Sequence, residues 1–263
     1  MANAMAAPEA DAGLEVLASG EIELVGRLVE SSNNALLVRV GHPAAATLAW
    51  EPADSSPLAG LGPGFYAVWK PTAGERPLFD FPIGTLTRRE VAAYRLSEAL
   101  GWGLVPPTVL RDGPYGEGML QRWIEVDPGI DVVGLIVADD PRLRRVTLFD
   151  AIANNTDRKG GHLLPTPDGR LFVVDHGVTF AVEPKLRTIL WAWEGQPFEA
   201  SERAALANLA GQLAAGAPLA RSLRELLASR EVTATRRRIE ELLAAGVFPG
   251  PSPDWPPVPW PPF

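Results

Sequence analysis

The sequence predicts an α+β chain of two lobes, β-rich in its first part and mainly helical in its second. Three observations carry this expectation. Up to residue 124 the apolar residues alternate in short runs punctuated by Gly, Pro, Ser and Asn, the pattern of half-buried strands joined by turns. From residue 131 onward the runs lengthen and become rich in Ala, Leu and Arg at helical spacing. A chain of 263 residues with 46% hydrophobic content can bury a substantial core. The expected organisation is a flexible leader at 1–20, an N-lobe of sheet plus one helix at 21–124, a C-lobe at 125–248 and a Pro/Trp-rich tail at 249–263.

The elements follow in order. "ELVGRLVE" and "ALLVRV" alternate and are separated by "SSNN", which predicts an antiparallel hairpin. A further strand piece is expected near "ATLAWEP", and "FYAVWKP" reads as a strand that stops at Pro71. In "TLTRREVAAYRLSEALG" a threonine cap, apolar positions at Val91, Tyr94, Leu96 and Leu100, and the closing Gly101 predict a helix. "VPPTVLRDGPYGEGMLQRWIE" predicts two more strands around a "DGPYGEG" turn. "VGLIVADDPRLRRVTLFDAIANN" reads as helix, "RLFVVDHG" as a short strand, and 198–246 as helix broken at "AAGAP". Proline removes donors and fixes φ, so "PGPSPDWPPVPWPPF" should be extended, packed along the body rather than free in water.

Composition excludes several functions. There is no cysteine, hence no disulfide, zinc-thiolate site, iron–sulfur cluster or thiol nucleophile. His42, His162 and His176 are the whole histidine supply, too few for a multi-histidine zinc site, whereas a hard cation held by carboxylates stays open. A net charge of −8 argues against nucleic acid and against constitutive adhesion to anionic membrane. The basic clusters "RLRR" and "RRR" read as solvated helix faces. The N-terminal stretch lacks the basic start and apolar run of a signal peptide, and no window resembles a membrane span, so a cytoplasmic protein is expected.

Four residues carry chemistry through their order. Lys70 ends a strand; Glu90 is expected in the first turn of the next helix; Asp157 sits in "NNTDRKGGH", a polar stretch between apolar segments; Asp175 leaves the apolar strand "VVDHG" before a glycine. Singly each has a commonplace reading: a snorkelling lysine, a helix-dipole carboxylate, a soluble loop, a strand end. Together they match the needs of phosphoryl transfer. That reaction uses a cation on the phosphates, a carboxylate that holds that cation, a carboxylate at the attacking hydroxyl, and one that binds the bridging metal. The strand–Lys, HRDxxxxN and DFG series of protein kinases has the same logic.

On "YAVWKP", "REVAAYRLSEALGWGLVPPTV", "NNTDRKGGHLL" and "LFVVDHGVTF", the chain resembles the phosphatidylinositol 3-/4-kinase-like branch of the protein-kinase-like fold, which includes HipA-type bacterial kinases. The resemblance spans roughly residues 21–200. It implies an ATP- and divalent-metal-dependent phosphotransferase that moves the γ-phosphate to a hydroxyl acceptor: lipid, protein or small molecule. By it Lys70 would contact the ATP phosphates, Glu90 would orient Lys70, Asp157 would be the catalytic aspartate and Asp175 the Mg2+ ligand. Gln121, Arg122 and Trp123 would form the adenine hinge, and Ser31, Ser32 and Asn33 of "SSNN" the loop over the phosphates. Asn154, Asn155 and Arg158 would shape the catalytic loop, with Arg158 counted among the catalytic residues. One position departs from the pattern: five residues after Asp157, where kinases carry a metal-binding asparagine, stands His162. Imidazole suits softer metals, so Mn2+ in place of Mg2+, loss of the second ion, or a catalytically impaired nucleotide-binding scaffold are the alternatives. AMP transfer on the same fold is another. In the scaffold reading the Pro/Trp-rich tail would meet a protein partner.

Overall fold

The structure, a computed structural model, describes residues 7–28 and 34–263. Helix α1 (Ala7–Ser19) leads into strands β1 (Glu21–Arg27) and β2 (Leu36–Gly41), a short α2 (Ala45–Leu48), β3 (Tyr66–Pro71) and α3 (Leu86–Leu100). Strands β4 (Thr108–Gly113) and β5 (Gly116–Arg122) complete one antiparallel sheet of order β1-β2-β3-β5-β4. The second part holds α4 (Val132–Val137), α5 (Pro141–Ala153), the small β6–β7 ladder (Leu163–Pro165, Leu171–Val173), α6 (Ala200–Gln212), α7 (Pro218–Arg224) and α8 (Ser229–Ala245). The α+β expectation stands.

Alternation along β3 decides what each face of the sheet does. Ala67 and Trp69 point to one face, where they bury with Val38, Val40 and Leu120 and are covered by Val16 and Leu17 of α1. From Ala7 the stretch expected as a flexible leader forms helix α1, whose Val16 and Leu17 close the back of the sheet. Lys70 points to the other face, opposite Met119 in the register, and Met119 joins the core that α3 shares with the C-lobe helices. Trp69 fits because of glycine. A Cβ on Gly118 would lie 2.5 Å from the Lys70 carbonyl and 2.8 Å from the Trp69 ring, so "GEG" in β5 is a packing requirement of β3.

Helix α3 is fastened to the C-lobe by charge as well as by apolar packing. Arg89, 1% exposed, pairs with Glu231 of α8 at 2.6 Å and donates to the Thr179 carbonyl at 2.7 Å. Arg95 donates to the Ser222 carbonyl in α7 at 2.7 Å, and Arg88 pairs with Glu117 of β5 at 2.6 Å. The helix that carries Glu90 is thus held from three sides. Gly101, at φ 66°, closes it in the left-handed conformation.

Three local expectations are corrected. "ATLAWEP" is not a strand: Ala45–Leu48 forms one helical turn and only Trp50 bridges to Gly64, because three consecutive alanines precede the β-favouring residues. Thr85 does not cap α3 through its side chain; its hydroxyl donates to the Pro82 carbonyl instead. The helical stretch from 132 breaks at 138–140, where Asp139 takes φ 51° and Asp140 caps α5 by accepting from the Arg142 N–H at 2.9 Å. The tail does pack on the body. Its carbonyls accept from the Thr188 N–H (Pro257, 3.0 Å), the Gly160 N–H (Pro262, 2.9 Å) and the Trp191 indole (Pro257, 3.2 Å). A proline chain has carbonyls but few N–H groups, so the body donates and the tail accepts.

Candidate active site

Lys70 is the last residue but one of β3, and its ammonium lies 2.7 Å from Glu90 Oε1 and 3.2 Å from Asp175 Oδ1. Glu90 is on the second turn of α3 rather than the first, and is 2% exposed. Both its oxygens are taken: Oε1 by Lys70, Oε2 by the His176 N–H at 2.8 Å. Burial by itself would lower the Lys70 pKa, but the charges of Asp175 and Glu90 and their hydrogen bonds more than offset this and hold it above the usual lysine range. Lys70's charge holds Asp175 below the usual carboxylate range, against the opposing effect of burial. For Glu90 the balance goes the other way: burial raises it, Lys70 opposes, and the nearby charge of Asp175 adds to the rise. Beside this triad is a small cavity lined by Lys70, Glu75, Thr87, Glu90 and Gly177. Glu75 accepts there from the Thr87 N–H and hydroxyl, each at 2.8 Å.

Asp175 follows β7 and is in the left-handed region at φ 61°, a conformation that costs a non-glycine residue energy and persists where the surroundings impose it. The Lys70 ion pair and the buried neighbour His176 do so. His176 is 0% exposed, and its Nε2 lies 2.7 Å from an Arg158 amine. A guanidinium can only donate, so Nε2 accepts and the ring proton is on Nδ1, which faces Glu90 Oε2 at 4.0 Å. Burial, reinforced by the charge of Arg158, pushes the His176 pKa well down and keeps the ring neutral.

The loop that opens with "NNTDRK" is built on α5. Asp150, 0% exposed, takes Arg158 through two bonds of 2.9 Å and the Asn155 amide at 2.9 Å. Asn154 caps α5 at φ 52° and fixes the following segment by donating to the Ala181 and Glu183 carbonyls. Asn155 Oδ1 accepts from the Asp157 N–H at 3.0 Å, which aims Asp157 outward with 35% of its side chain exposed. Burial raises the Asp157 pKa against the lowering charge of Lys159, so the carboxylate is a better base than a free aspartate.

The structure brings Lys70, Glu90, Asp175 and His162 together, with Asp157 on the adjoining loop. Other predicted site residues fare differently. Ser31, Ser32 and Asn33 lie outside the described residues. Arg158, counted as catalytic, is 0% exposed and spends its donors on Asp150, His176 and the Val174 carbonyl at 2.8 Å; it positions the loop and does not reach the cleft. The N–H groups of Arg122 and Trp123 are already given to the Pro107 and Tyr66 carbonyls, and the Gln121 amide is buried against Thr108. These donors are therefore spent within the N-lobe and are not free for an adenine ring. Two residues were missed. Lys159, 3.4 Å from Asp157, was visible in the Asp-x-Lys spacing of "DRK". Arg187, whose N–H donates to the Asn155 carbonyl at 2.9 Å, lies in a segment without any sequence signal.

His162 Nε2 stands 3.5 Å from Asp175 Oδ2, and its Nδ1 accepts the Lys159 N–H at 3.4 Å. Burial, with the surrounding cations, lowers its pKa to about 4 although Asp175 opposes. Such a group weakens the fold in acid, because the unfolded chain binds the proton first. The stability lead of wild type over His162→Asn is expected to shrink by about 3 kcal/mol between pH 7 and pH 4, starting below about 6.5. Urea titrations of both proteins across that range check this; a constant difference would contradict it.

Asp175 and His162 fit a divalent cation as a partial ligand set. Among the described residues no group of three or more His, Cys, Asp or Glu side chains is poised to enclose an ion. The protein would supply one or two ligands and leave the rest to phosphate oxygens and water, as is usual for Mg2+ at nucleotide sites. Binding through His162 Nε2 requires the ring proton to move off that nitrogen, since Nδ1 is the acceptor toward Lys159.

An antiparallel five-stranded sheet with one attached helix, followed by helices and a hairpin that carries Asp175, defines a protein-kinase-like fold. Solved structures share it: the Golgi casein kinase with Mn/ADP bound (TM-score 0.56, 14% identity, covering 90% of this chain and 75% of that one) and the hydra Fam20 with sugar (TM-score 0.50, 14% identity, 88% and 86%). The chain belongs to the family of Protein Rv2133c of Mycobacterium tuberculosis (strain ATCC 25618 / H37Rv), with 42% identity over 283 aligned positions and 94% of each chain covered. No family model matches. Among the described residues no helix is long and apolar enough to cross a membrane.

Proposed function

We propose that the chain is an ATP- and divalent-metal-dependent phosphotransferase with a hydroxyl acceptor, on the phosphatidylinositol 3-/4-kinase-like branch of the protein-kinase-like fold. The observation that carries the reading is Lys70 bridging Glu90 and Asp175 at the foot of β3, with Asp157 and Lys159 on the next loop. Lys70 would hold the ATP phosphates, with Glu90 fixing its position from an anchored helix. Asp175, with His162 beside it, would hold the cation, which neutralises phosphate charge when bound. Asp157 takes the proton from the acceptor hydroxyl as its oxygen bonds to the γ-phosphorus; the bond from that phosphorus to the bridging oxygen breaks, and ADP leaves. Lys159 balances the charge on the transferred group. The Mn/ADP-bound Golgi casein kinase on the same fold supports a nucleotide and a divalent ion here. Because an imidazole neighbours Asp175, Mn2+ is expected to outperform Mg2+, and His162→Asn to reverse the order.

The test is ADP release and label transfer from ATP carrying the label at the γ- or the α-phosphate. The expected result is metal-dependent ADP formation with γ-label transfer, lost in Asp175→Asn. Transfer of α-label would assign AMP transfer instead. ATP binding without consumption would support the scaffold reading, which His162 at the asparagine position favours. Unchanged turnover in Asp175→Asn would overturn the site.

A further inference from the structure

Beside Asp157 and Lys159 the chain places a further cation, Arg187, that the proposed transfer step does not use. Arg187 is joined to the catalytic loop through its backbone: its N–H donates to the Asn155 carbonyl and its carbonyl accepts from the Arg158 N–H at 3.1 Å. Its side chain is half-buried and is held by carbonyls of the tail, Nε to Pro256 at 3.2 Å and a terminal amine to Val258 at 3.3 Å. Its side-chain partners are thus carbonyls, which leave the guanidinium's charge uncompensated by any carboxylate partner among the described residues. That charge is near enough to act on Asp157 and lower its pKa. Lys159 adds a second cation, 3.4 Å from Asp157. One half-buried carboxylate thus pairs with Lys159 and lies within reach of the charge of Arg187.

The tail also supplies an apolar wall. The Gly160 N–H donates to the Pro262 carbonyl, and the Phe263 ring lies so close over Gly160 that a Cβ there would fall 1.9 Å from it. No side chain but hydrogen fits, which accounts for a glycine at this position. Phe263 leaves 56% of its surface open, and Gly161 beside it is exposed. The same tail occupies the backbone donors of Thr188 and Gly160 and the Trp191 indole. An extended polypeptide acceptor would need such donors to lie along this surface.

We infer that Arg187 and Lys159, backed by the tail through Phe263, form an acceptor subsite for a small hydroxyl compound that carries an anionic group such as a phosphate. The inference rests on the phosphotransferase reading for the word acceptor, but the anion subsite stands on its own geometry. Anion recognition by a guanidinium already fixed by carbonyls costs little ordering of the side chain. The anionic group could belong to a soluble metabolite or to a lipid headgroup, and the recognition chemistry is the same.

Glycerol 3-phosphate serves as the probe, glycerol as its uncharged control, and phosphatidylglycerol vesicles as the lipid arm. Thermal unfolding and calorimetric titration are run on the full chain, free and loaded with the non-hydrolysable ATP analogue AMPPNP and Mn2+, which keeps the γ-phosphate position filled. Glycerol 3-phosphate is expected to raise the midpoint of the loaded protein where glycerol does not, and to lose affinity as salt rises. Arg187→Gln is expected to weaken the probe at least tenfold while changing AMPPNP affinity less than twofold; Arg187→Lys, which keeps the charge, retains probe binding within threefold and guards against misfolding. Cosedimentation with the vesicles without binding of the soluble probe assigns the same subsite to a headgroup. Equal probe binding in Arg187→Gln, or no binding of either probe to wild type, overturns the inference. If AMPPNP fails to bind while the probe binds in an Arg187-dependent way, the phosphotransferase reading falls and the anion subsite stands.

Discussion

Asp157→Asn is expected to slow metal-dependent phosphoryl transfer by about 10²–10⁴-fold, the range that a positioned general base supplies, while AMPPNP affinity stays within a few-fold of wild type. The Asp157 N–H is held by Asn155, which is held in turn by Asp150, so the backbone of the loop does not depend on the Asp157 side chain. Asparagine keeps the size and loses the basicity. With the proton acceptor gone, the hydroxyl must attack while still protonated, and kcat falls. Rapid-quench measurement of the transfer step, with AMPPNP titration alongside, checks both halves. A fall in nucleotide affinity equal to the fall in rate would mean that Asp157 acts on the nucleotide and not on the acceptor.

The second large effect concerns stability. Arg158→Met is expected to cost about 3–5 kcal/mol, the range found when one partner of a buried ion pair is removed. Arg158 and Asp150 are both 0% exposed and are joined by two bonds of 2.9 Å. Removing the guanidinium leaves the Asp150 carboxylate buried with only Asn155 as a side-chain donor, and takes the donor from His176 Nε2. The double variant Asp150→Leu/Arg158→Met removes the stranded charge and is expected to recover part of the loss. Urea unfolding with an unchanged m-value is the measurement; a cost below about 1 kcal/mol would show that the hub does not hold the loop.

Much of the fold was legible because it rests on local pattern. Alternation exposed β1 and β2, the "DGPYGEG" turn exposed β4 and β5, proline marked the end of β3, and Gly101 marked the end of α3. The tail's packing was expected from the cost of leaving its aromatics in water, yet Trp260 stays 86% exposed and carbonyl hydrogen bonds hold the tail. What was not legible depends on distant partners. Residues 7–19, rich in Ala and acidic residues, look like a loose leader until the back face of the sheet is there to receive Val16 and Leu17. Arg158 reads as a polar loop residue because its neighbours in sequence are polar, yet Asp150 one helix earlier and His176 after β7 draw it into the core. Arg187 acquires meaning only when the tail folds back onto it.

The same contrast runs through the site. Lys70, Glu90, Asp157 and Asp175 could be put in order from the sequence, since Lys70 and Asp175 close apolar strand runs, Glu90 follows in the next helix and Asp157 stands in a polar stretch between apolar segments. Their distances could not. The 2.7 Å contact of Lys70 with Glu90 arises because α3 is fixed to α7 and α8 by Arg95 and Arg89, which nothing near Glu90 announces. That anchoring also has a consequence for motion: Glu90 cannot leave Lys70 by a swing of α3 unless the buried Arg89–Glu231 pair breaks, a cost of the same order as that of Arg158.

The central claim is that Lys70 and Asp175 hold a nucleotide together with a divalent cation. Thermal unfolding of wild type and Asp175→Asn, each with ATP alone and with ATP plus Mg2+ or Mn2+, tests it most directly, because a ligand that binds only the folded state raises the midpoint by mass action. The account predicts a metal-dependent rise in wild type, larger with Mn2+, that is absent in Asp175→Asn. A midpoint unmoved by saturating ATP with either metal, or an equal rise in both proteins, would contradict it.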